Sequence, residues 1–363
     1  MKIIHTSDIH LGRRFSGLKL AGDRLRAGLK TTFSRIIDFT LEQRADLLII
    51  SGNLFDNLDI SNNLQNFVAH EIERLDSIPT VIVPGTNDHY IDGSFWKTWE
   101  RSSTHNNLHV LANHKASVIK LDKPACEIHG LLFNPETSSI DFPAGPQLDQ
   151  KTGCAIAAFC GLANSIPQAL QKSARSFDYI ALGGQNRFHD LTSTGLKAAY
   201  CGSPEIQGFG EGDSGYIAVV EINPGADPLI KKEKIGSFIW KTDELAAKDI
   251  LNNDDLIKRI RTQVGPETLL KVKLSGLALF EASLEPNSVQ RLLENEFLYL
   301  DIVDDMKVLP ENISEVKVSE KTILGQYIKV MAGELNTAGD IEKVRLEKSL
   351  KIGYALLQGR EPW

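Results

Sequence analysis

Asp8 and His10 stand two residues apart in Ser7-Asp8-Ile9-His10, just after a short apolar strand signal opened by Ile3-Ile4. Four further polar segments each follow an apolar run: Ser51-Gly52-Asn53-Leu54-Phe55-Asp56, Pro84-Gly85-Thr86-Asn87-Asp88-His89, Phe159-Cys160-Gly161 and Gly183-Gly184-Gln185-Asn186. Carboxylate, imidazole and amide groups are the donors that hard or borderline cations take. Glycine, present in these four, lets a polar loop turn sharply beside a ligand. In parallel α/β sheets such residues gather at the carboxyl ends of the strands. The recurrence of the pattern carries more information than any one segment.

The elements needed to position these loops are legible around them. Leu25, Leu29, Phe33, Ile36 and Ile37 recur at helical spacing. Leu47-Leu48-Ile49-Ile50 is a continuous apolar run, as expected of a strand buried on both faces. Leu64, Phe67, Val68, Ile72 and Leu75 mark a second amphipathic helix, and Val81-Ile82-Val83 a third buried strand. This βαβαβ order implies a mostly parallel sheet covered by helices. Beyond Leu108 the rhythm shortens, with strands expected over 117–121, 127–132, 155–159, 179–182, 198–201 and 215–222 and a helix over about 165–174. Two packed sheets fit this better than one open sheet.

The run Asn223-Pro224-Gly225-Ala226-Asp227-Pro228 is a turn-rich break, and the first domain is expected to end soon after it. Strand-like Leu270, Val272 and Leu274, a helix over 288–293 and a strand over 297–303 suggest a small α+β domain. From Lys321 onward two helical patterns are separated by 336–339.

A chain of 363 residues is too long for one ordinary core. No apolar run is long enough to span a membrane or to serve as a signal peptide. Four scattered cysteines without CxxC pairing read as reduced, cytosolic thiols, hence a cytoplasmic protein. The net charge of -7 argues against an overall basic coat but leaves room for a local patch.

The five segments, in this order, resemble those of the calcineurin-like metallophosphoesterase family, which reads DxH, GDxxD, GNHD, HG and GHxH. The flanking text resembles the SbcD-type (YhaO-like) DNA repair exonuclease subunits. It includes His5-Thr6-Ser7-Asp8-Ile9-His10-Leu11-Gly12, Asp178-Tyr179-Ile180-Ala181-Leu182-Gly183 and Tyr200-Cys201-Gly202-Ser203-Pro204-Glu205. The resemblance covers residues 1–222 well and the rest loosely. It implies a four-layer α/β/β/α sandwich. It also implies two divalent ions, usually manganese, roughly 3.5–4 Å apart, that activate a water against a phosphodiester.

Position by position, the resemblance also marks a degenerate site. Asp8 and His10 match the DxH ligands. Asn53 stands at the bridging Asp, Thr86 at the metal-binding Asn and Asn87 at the catalytic His. Cys160 stands at the His of HG, and Gly184 and Asn186 at the two His of GHxH. An amide at 53 carries no charge to offset the repulsion of two cations, and an amide at 87 is no acid near neutral pH. Two readings of Asp8 and His10 stand side by side: one weakly held cation, or hydrogen bonds to strand-end backbone. The second is favoured, because transition-metal sites usually need three or more protein ligands.

Other residues also carry two readings. A one-residue shift in Asn87-Asp88-His89 would bring Asn87 to a ligand position and His89 toward a phosphate, with His189 nearby in sequence to the lost GHxH; otherwise both histidines are exposed loop residues. Cys160 is a nucleophile or soft ligand, or, more simply, a small thiol filling the space of a histidine. Asp56 reads as the cap of the following helix. Arg13, Arg14, Lys19, Arg24, Arg26, Lys30 and Arg35 face a single acid, Asp23. They are a phosphate-binding patch or the solvated side of a helix. Ile323, Tyr327, Ile328, Met331 and Leu335 form an apolar stripe that packs on the chain itself or docks a partner. The resemblance implies an SMC-like (SbcC-type) ATPase there, and Trp363 fits such a contact.

The expectation is therefore an α/β chain with three parts: a phosphoesterase domain over 1–235, a small α+β cap over 236–310 and a helical tail over 311–363. Its expected function is that of an inactive or weak SbcD-type homologue associated with DNA or an ATPase, with no cofactor or a weakly held manganese. The alternative is an active metal-dependent nuclease with an altered site. The resemblance also implies that the chain forms a homodimer.

Overall fold

The computed structural model describes residues 1–91, 94–101, 107–111, 117–131, 153–161, 176–223, 225–278, 284–308 and 318–357. The chain divides into two compact units, Met1–Phe238 and Ile239–Trp363.

The first unit opens with β1 (Lys2–Thr6), α1 (Lys19–Glu42), β2 (Leu47–Ser51), α2 (Asn62–Glu73), β3 (Thr80–Val83), α3 (Phe95–Arg101) and β4 (Leu108–Val110). The strands β1, β2, β3 and β4 run parallel in that order. Parallel neighbours force a crossover between them, so helices must lie on the sheet face. One face packs Leu29, Phe33, Ile36 and Ile37 of α1 and Val68 and Ile72 of α2 against Ile4, Leu48, Ile50 and Ile82. Side chains alternate along a strand, so Ile3, Leu47, Ile49, Val81 and Val83 point the other way into a second core.

That second core faces another six-stranded sheet. It is built from β5 (Ser117–Asp122), β6 (Ala125–Leu131), β7 (Ala155–Cys160), β8 (Tyr179–Gly183), β9 (His189–Asp190) and β10 (Ala198–Tyr200). Cys126, Ile128, Ile156, Ala158, Tyr179 and Ala181 meet the first sheet. The outer face is apolar too, with Ala157, Phe159, Ile180 and Leu182. The helix expected at about 165–174 lies outside the described residues. The chain then returns to the first sheet. β11 (Tyr216–Glu221) pairs antiparallel with β1, and β12 (Leu229–Lys234) closes the edge. The break at 223–228 is thus a hairpin connection inside the first unit.

The second unit has its own core. β13 (Ile239–Ala246), β14 (Gly265–Ala278) and β15 (Phe297–Val308) are parallel throughout. They are joined through α4 (Asn253–Arg261) and α5 (Pro286–Leu293). Leu256, Ile260, Val289 and Leu293 of these helices bury Leu270, Val272, Leu274, Leu300 and Ile302. The helices α6 (Ile323–Thr337) and α7 (Asp340–Leu357) share a separate cluster of Ile328, Met331, Leu350, Tyr354 and Ala355. Tyr327 and Leu335 pack against that cluster, so most of the apolar stripe is taken up by this helix pair. Ile323 stays exposed, and Trp363 lies outside the described residues.

Candidate functional site

The five strand-end loops converge, and the backbone shows how. Asp8, His10 and Asn53 all adopt left-handed φ values, 52°, 51° and 50°. Asp, Asn and His tolerate this region better than other side chains do. The amide N–H of Asp8 donates to Gly52 O at 3.0 Å, that of His10 to Asn53 O at 2.9 Å and that of Leu11 to Leu54 O at 2.9 Å. The loops after β1 and β2 are therefore zipped together residue by residue. Gly85 after β3 sits so close that a Cβ there would lie 2.3 Å from the backbone N and the Oδ1 of Asn53.

Asp8 is the hub, and it is buried. Asn53 Nδ2 donates to its Oδ1 at 2.7 Å. Ser7 Oγ and the Gly184 N–H donate to its Oδ2 at 2.6 and 2.9 Å. From the far side of Asn53, the Asn87 N–H donates to Oδ1 at 2.9 Å and Thr86 Oγ at 3.4 Å. The side chain of Asn87 turns aside and donates to Asp56 O at 3.2 Å. His10 lies between two carboxylates. Its Nε2 is 3.9 Å from Asp8 Oδ1 and its Nδ1 3.3 Å from Asp56 Oδ1. The second pair lacks hydrogen-bond alignment, so the buried Nδ1 has no hydrogen-bond partner.

Asp56 is not a helix cap. α2 begins six residues later, and its cap is Ser61, whose Oγ accepts from the Leu64 N–H at 3.3 Å. The loop between gives Asp56 another neighbour, the His10 ring.

The loops from the second sheet contribute differently. Cys160 is fully buried, and a Cβ on Gly52 would fall 2.4 Å from its Sγ. Burial first, and then the nearby Asp8 carboxylate, push its thiol well above the ordinary range. A thiol held protonated is a poor nucleophile. Gly184 offers its N–H and, at φ 92°, a turn closed to most residues. Asn186 lies nearby in sequence but its Nδ2 donates to Glu211 Oε1 at 3.1 Å. His89 Nδ1 meets Thr86 O at 3.2 Å on the surface, and His189 is exposed on β9. Among the described residues, no three His, Cys, Asp or Glu side chains group as metal ligands.

Several residues not singled out by type hold this arrangement. Asp88 is buried and accepts from the Gly85 N–H at 2.7 Å and the Phe55 N–H at 3.0 Å. Its carboxyl is pushed up to about 6, chiefly by burial. Ser203 Oγ and Gln207 Nε2 donate to Asp8 O at 2.7 and 3.0 Å. Glu205 in the same loop accepts from Thr32 Oγ and the Ser237 N–H at 2.7 and 2.8 Å. Beneath them His5 meets Tyr179 OH and Ser51 Oγ, both at 2.7 Å. Burial lowers its pKa to about 3, so the ring is neutral.

The basic segment leaves this site directly. Arg13 Nη1 donates to Gln207 Oε1 at 3.1 Å, and its guanidinium lies 5.6 Å from the Phe15 ring centre. Arg14 and Arg24 are exposed, and Arg26 pairs with Asp23. The Lys19 side chain lies outside the described residues.

Comparison with known proteins agrees with this architecture. The calcineurin-like phosphoesterase family matches residues 1–139. The chain is 23% identical over 296 residues to the uncharacterized metallophosphoesterase YhaO of Bacillus subtilis, covering 76% of this chain and 69% of that protein. It is 25% identical over 287 residues to the DNA double-strand break repair protein Mre11 of Saccharolobus solfataricus, covering 72% of each. A shorter match, 31% over 91 residues, covers 24% of this chain and 23% of the SbcD component of the SbcCD nuclease of Staphylococcus epidermidis. Residues 1–139 thus match the calcineurin-like phosphoesterase family, and the proteins that the chain is similar to include an Mre11 and an SbcD.

Proposed function

We propose that this chain is a DNA- or ATPase-associated subunit whose phosphoesterase fold has been kept as a binding scaffold while its two-metal hydrolytic chemistry has been lost. The observation that carries this reading is the engagement of Asp8. Both carboxylate oxygens already accept hydrogen bonds, from Asn53, Ser7 and Gly184. A cation at Asp8 would have to displace an amide NH2 whose hydrogens carry positive partial charge. A pair of cations would also lack a shared carboxylate, since Asn53 stands between the loops, and no third ligand joins Asp8 and His10 among the described residues. The donor set therefore does not fit two ions, and no hydrolytic step is assigned to it. At the position of the family's catalytic acid stands Asn87, an amide whose NH2 donates to Asp56 O.

The DNA part of the proposal rests on the relatives and on position. Arg13, Arg14, Lys19 and Arg24 run from the His10 loop into α1, and arginine and lysine contact phosphates without reading sequence. An SMC-like ATPase and a second copy of the chain are partners proposed from the relatives alone.

Two assays test the reading together. Hydrolysis of a generic phosphodiester and of linear DNA is measured with manganese present, and DNA binding is measured across a salt series. The expected result is no metal-dependent turnover, with binding that weakens steeply with salt and weakens further in Arg14→Ala/Arg24→Ala. Robust manganese-dependent cleavage that disappears in Asp8→Ala would overturn it.

A further inference from the structure

We infer that the Asn53 side chain is a built-in substitute for a bridging ion: it holds the loops after β1, β2 and β3 together through its own donor and acceptor, so that the site is rigid without metal. The inference deepens the reading above and shares with it the Asn53–Asp8 hydrogen bond; what it adds is the polarity of the contacts on both sides of that amide.

Asn53 is buried at the meeting point of three loops. Its Nδ2 donates to Asp8 Oδ1 at 2.7 Å, and its Oδ1 accepts from the Asn87 N–H at 2.9 Å. Thr86 Oγ adds a longer contact to the same oxygen at 3.4 Å. Only one orientation of the amide satisfies this environment. The flipped amide would set its oxygen against the Asp8 carboxylate and its NH2 against the Asn87 N–H, a mismatch on both sides. The neighbours therefore demand a donor on one side and an acceptor on the other. Among side chains of this size, asparagine alone supplies both. A carboxylate in its place would be acceptor-only, and it would face a second carboxylate 2.7 Å away. Such a pair is tolerated when a cation or a proton stands between. The left-handed backbone at Asn53 and the bar to any Cβ at Gly85 leave little room for the pair to move apart.

The structure of the site loops should then be indifferent to metal in the natural chain and become dependent on it after one substitution. Thermal unfolding of the full chain is followed at about pH 8, above the range in which two carboxylates readily share a proton. It is compared in EDTA and in manganese chloride for the wild type, Asn53→Asp and Asn53→Ala. The wild-type midpoint is expected to be the same in both. Asn53→Asp is expected to unfold about 5–15 °C lower in EDTA and to regain part of that loss with manganese. Asn53→Ala removes donor and acceptor together and is expected to be lowered without any response to metal. Hydrogen exchange of the segment containing Asn87 reads the same contact in folded protein, and should quicken at least tenfold in Asn53→Ala. That measurement decides the matter if Asn53→Asp does not fold. A manganese-dependent rise in the wild-type midpoint, an Asn53→Asp protein as stable as wild type in EDTA, or unchanged exchange at Asn87 in Asn53→Ala would each overturn the inference. A failure of DNA binding would leave it standing and strike only the function proposed above.

Discussion

The first sheet and the second sheet each bring loops to the same place, yet they bring different things. From β1, β2 and β3 come Asp8, Asn53 and Thr86, whose side chains hydrogen-bond across loops, together with the backbone N–H of Asn87 and the His10 ring beside Asp8. From β7 and β8 come a buried thiol, Cys160, and a glycine, Gly184, whose whole contribution is an N–H. On one side the side chains hold the loops; on the other, backbone and packing do. The contrast teaches that two kinds of group can hold converging loops. A neutral amide, Asn53, does so through its own donor and acceptor, while a glycine, Gly184, offers its backbone N–H and a left-handed turn.

The largest effect should come from removing the hub of the first half. Asp8→Ala orphans two buried donors and one half-buried donor at once and places alanine at φ 52°. A loss of roughly 3–5 kcal/mol in urea unfolding is expected. A loss under about 1 kcal/mol would mean that the side-chain network does not hold the loops. On the second half, Gly184→Ala should cost about 1–3 kcal/mol by the same measurement, because φ is 92° and the added methyl would lie 3.0 Å from the Gly161 nitrogen. If it proved as damaging as Asp8→Ala, the two halves would not differ in kind.

A further expected effect concerns pH and the layer beneath the site. His5 has a folded pKa of about 3 against an ordinary 6.5. Its folded value is depressed, so its contribution is fully present above pH 6.5 and is lost as pH falls toward 3. By about pH 5 the loss should be roughly 2 kcal/mol. Asp88 acts in the opposite sense. Its value is raised from 3.8 to about 6, so the folded state keeps the proton and stability declines as pH rises between those values. The His5 limb is therefore read as the difference between wild type and His5→Asn. An identical acid slope in both would remove His5 as its source.

Legibility in the sequence followed burial on both faces and strong local pattern. The Leu47–Ile50 and Val81–Val83 runs are strands because no face of them meets water, and such runs look alike in any chain. The Asp8, Asn53 and Asn87 loops were legible as polar breaks after those runs. Asp88 carried no such signal as a holder of the site: the Phe55 N–H it accepts is 33 residues away. The mistaken cap at Asp56 has the same origin, since nothing local says that further residues of loop precede Ser61. β12 escaped notice because it is an edge strand carrying Lys231, Lys232 and Lys234, which is how edges avoid pairing with other chains. The direction of β13, β14 and β15 is likewise invisible to a pattern of apolar residues, which is the same for parallel and antiparallel neighbours.

Glu205 has a consequence for anyone dividing the molecule. Its carboxylate, on the loop that steadies the Asp8 carbonyl, is buried and accepts from the N–H groups of Ser237 and Phe238. The Phe238 ring fills the space beside Gly28, where a Cβ would fall 2.2 Å from it. A fragment ending at Lys234 or Ile235 would strip two donors from a buried acid and open a groove on α1. One ending just after Phe238 would keep both, so a few residues of apparent linker separate a fragment with a sealed base from one with a hole in it.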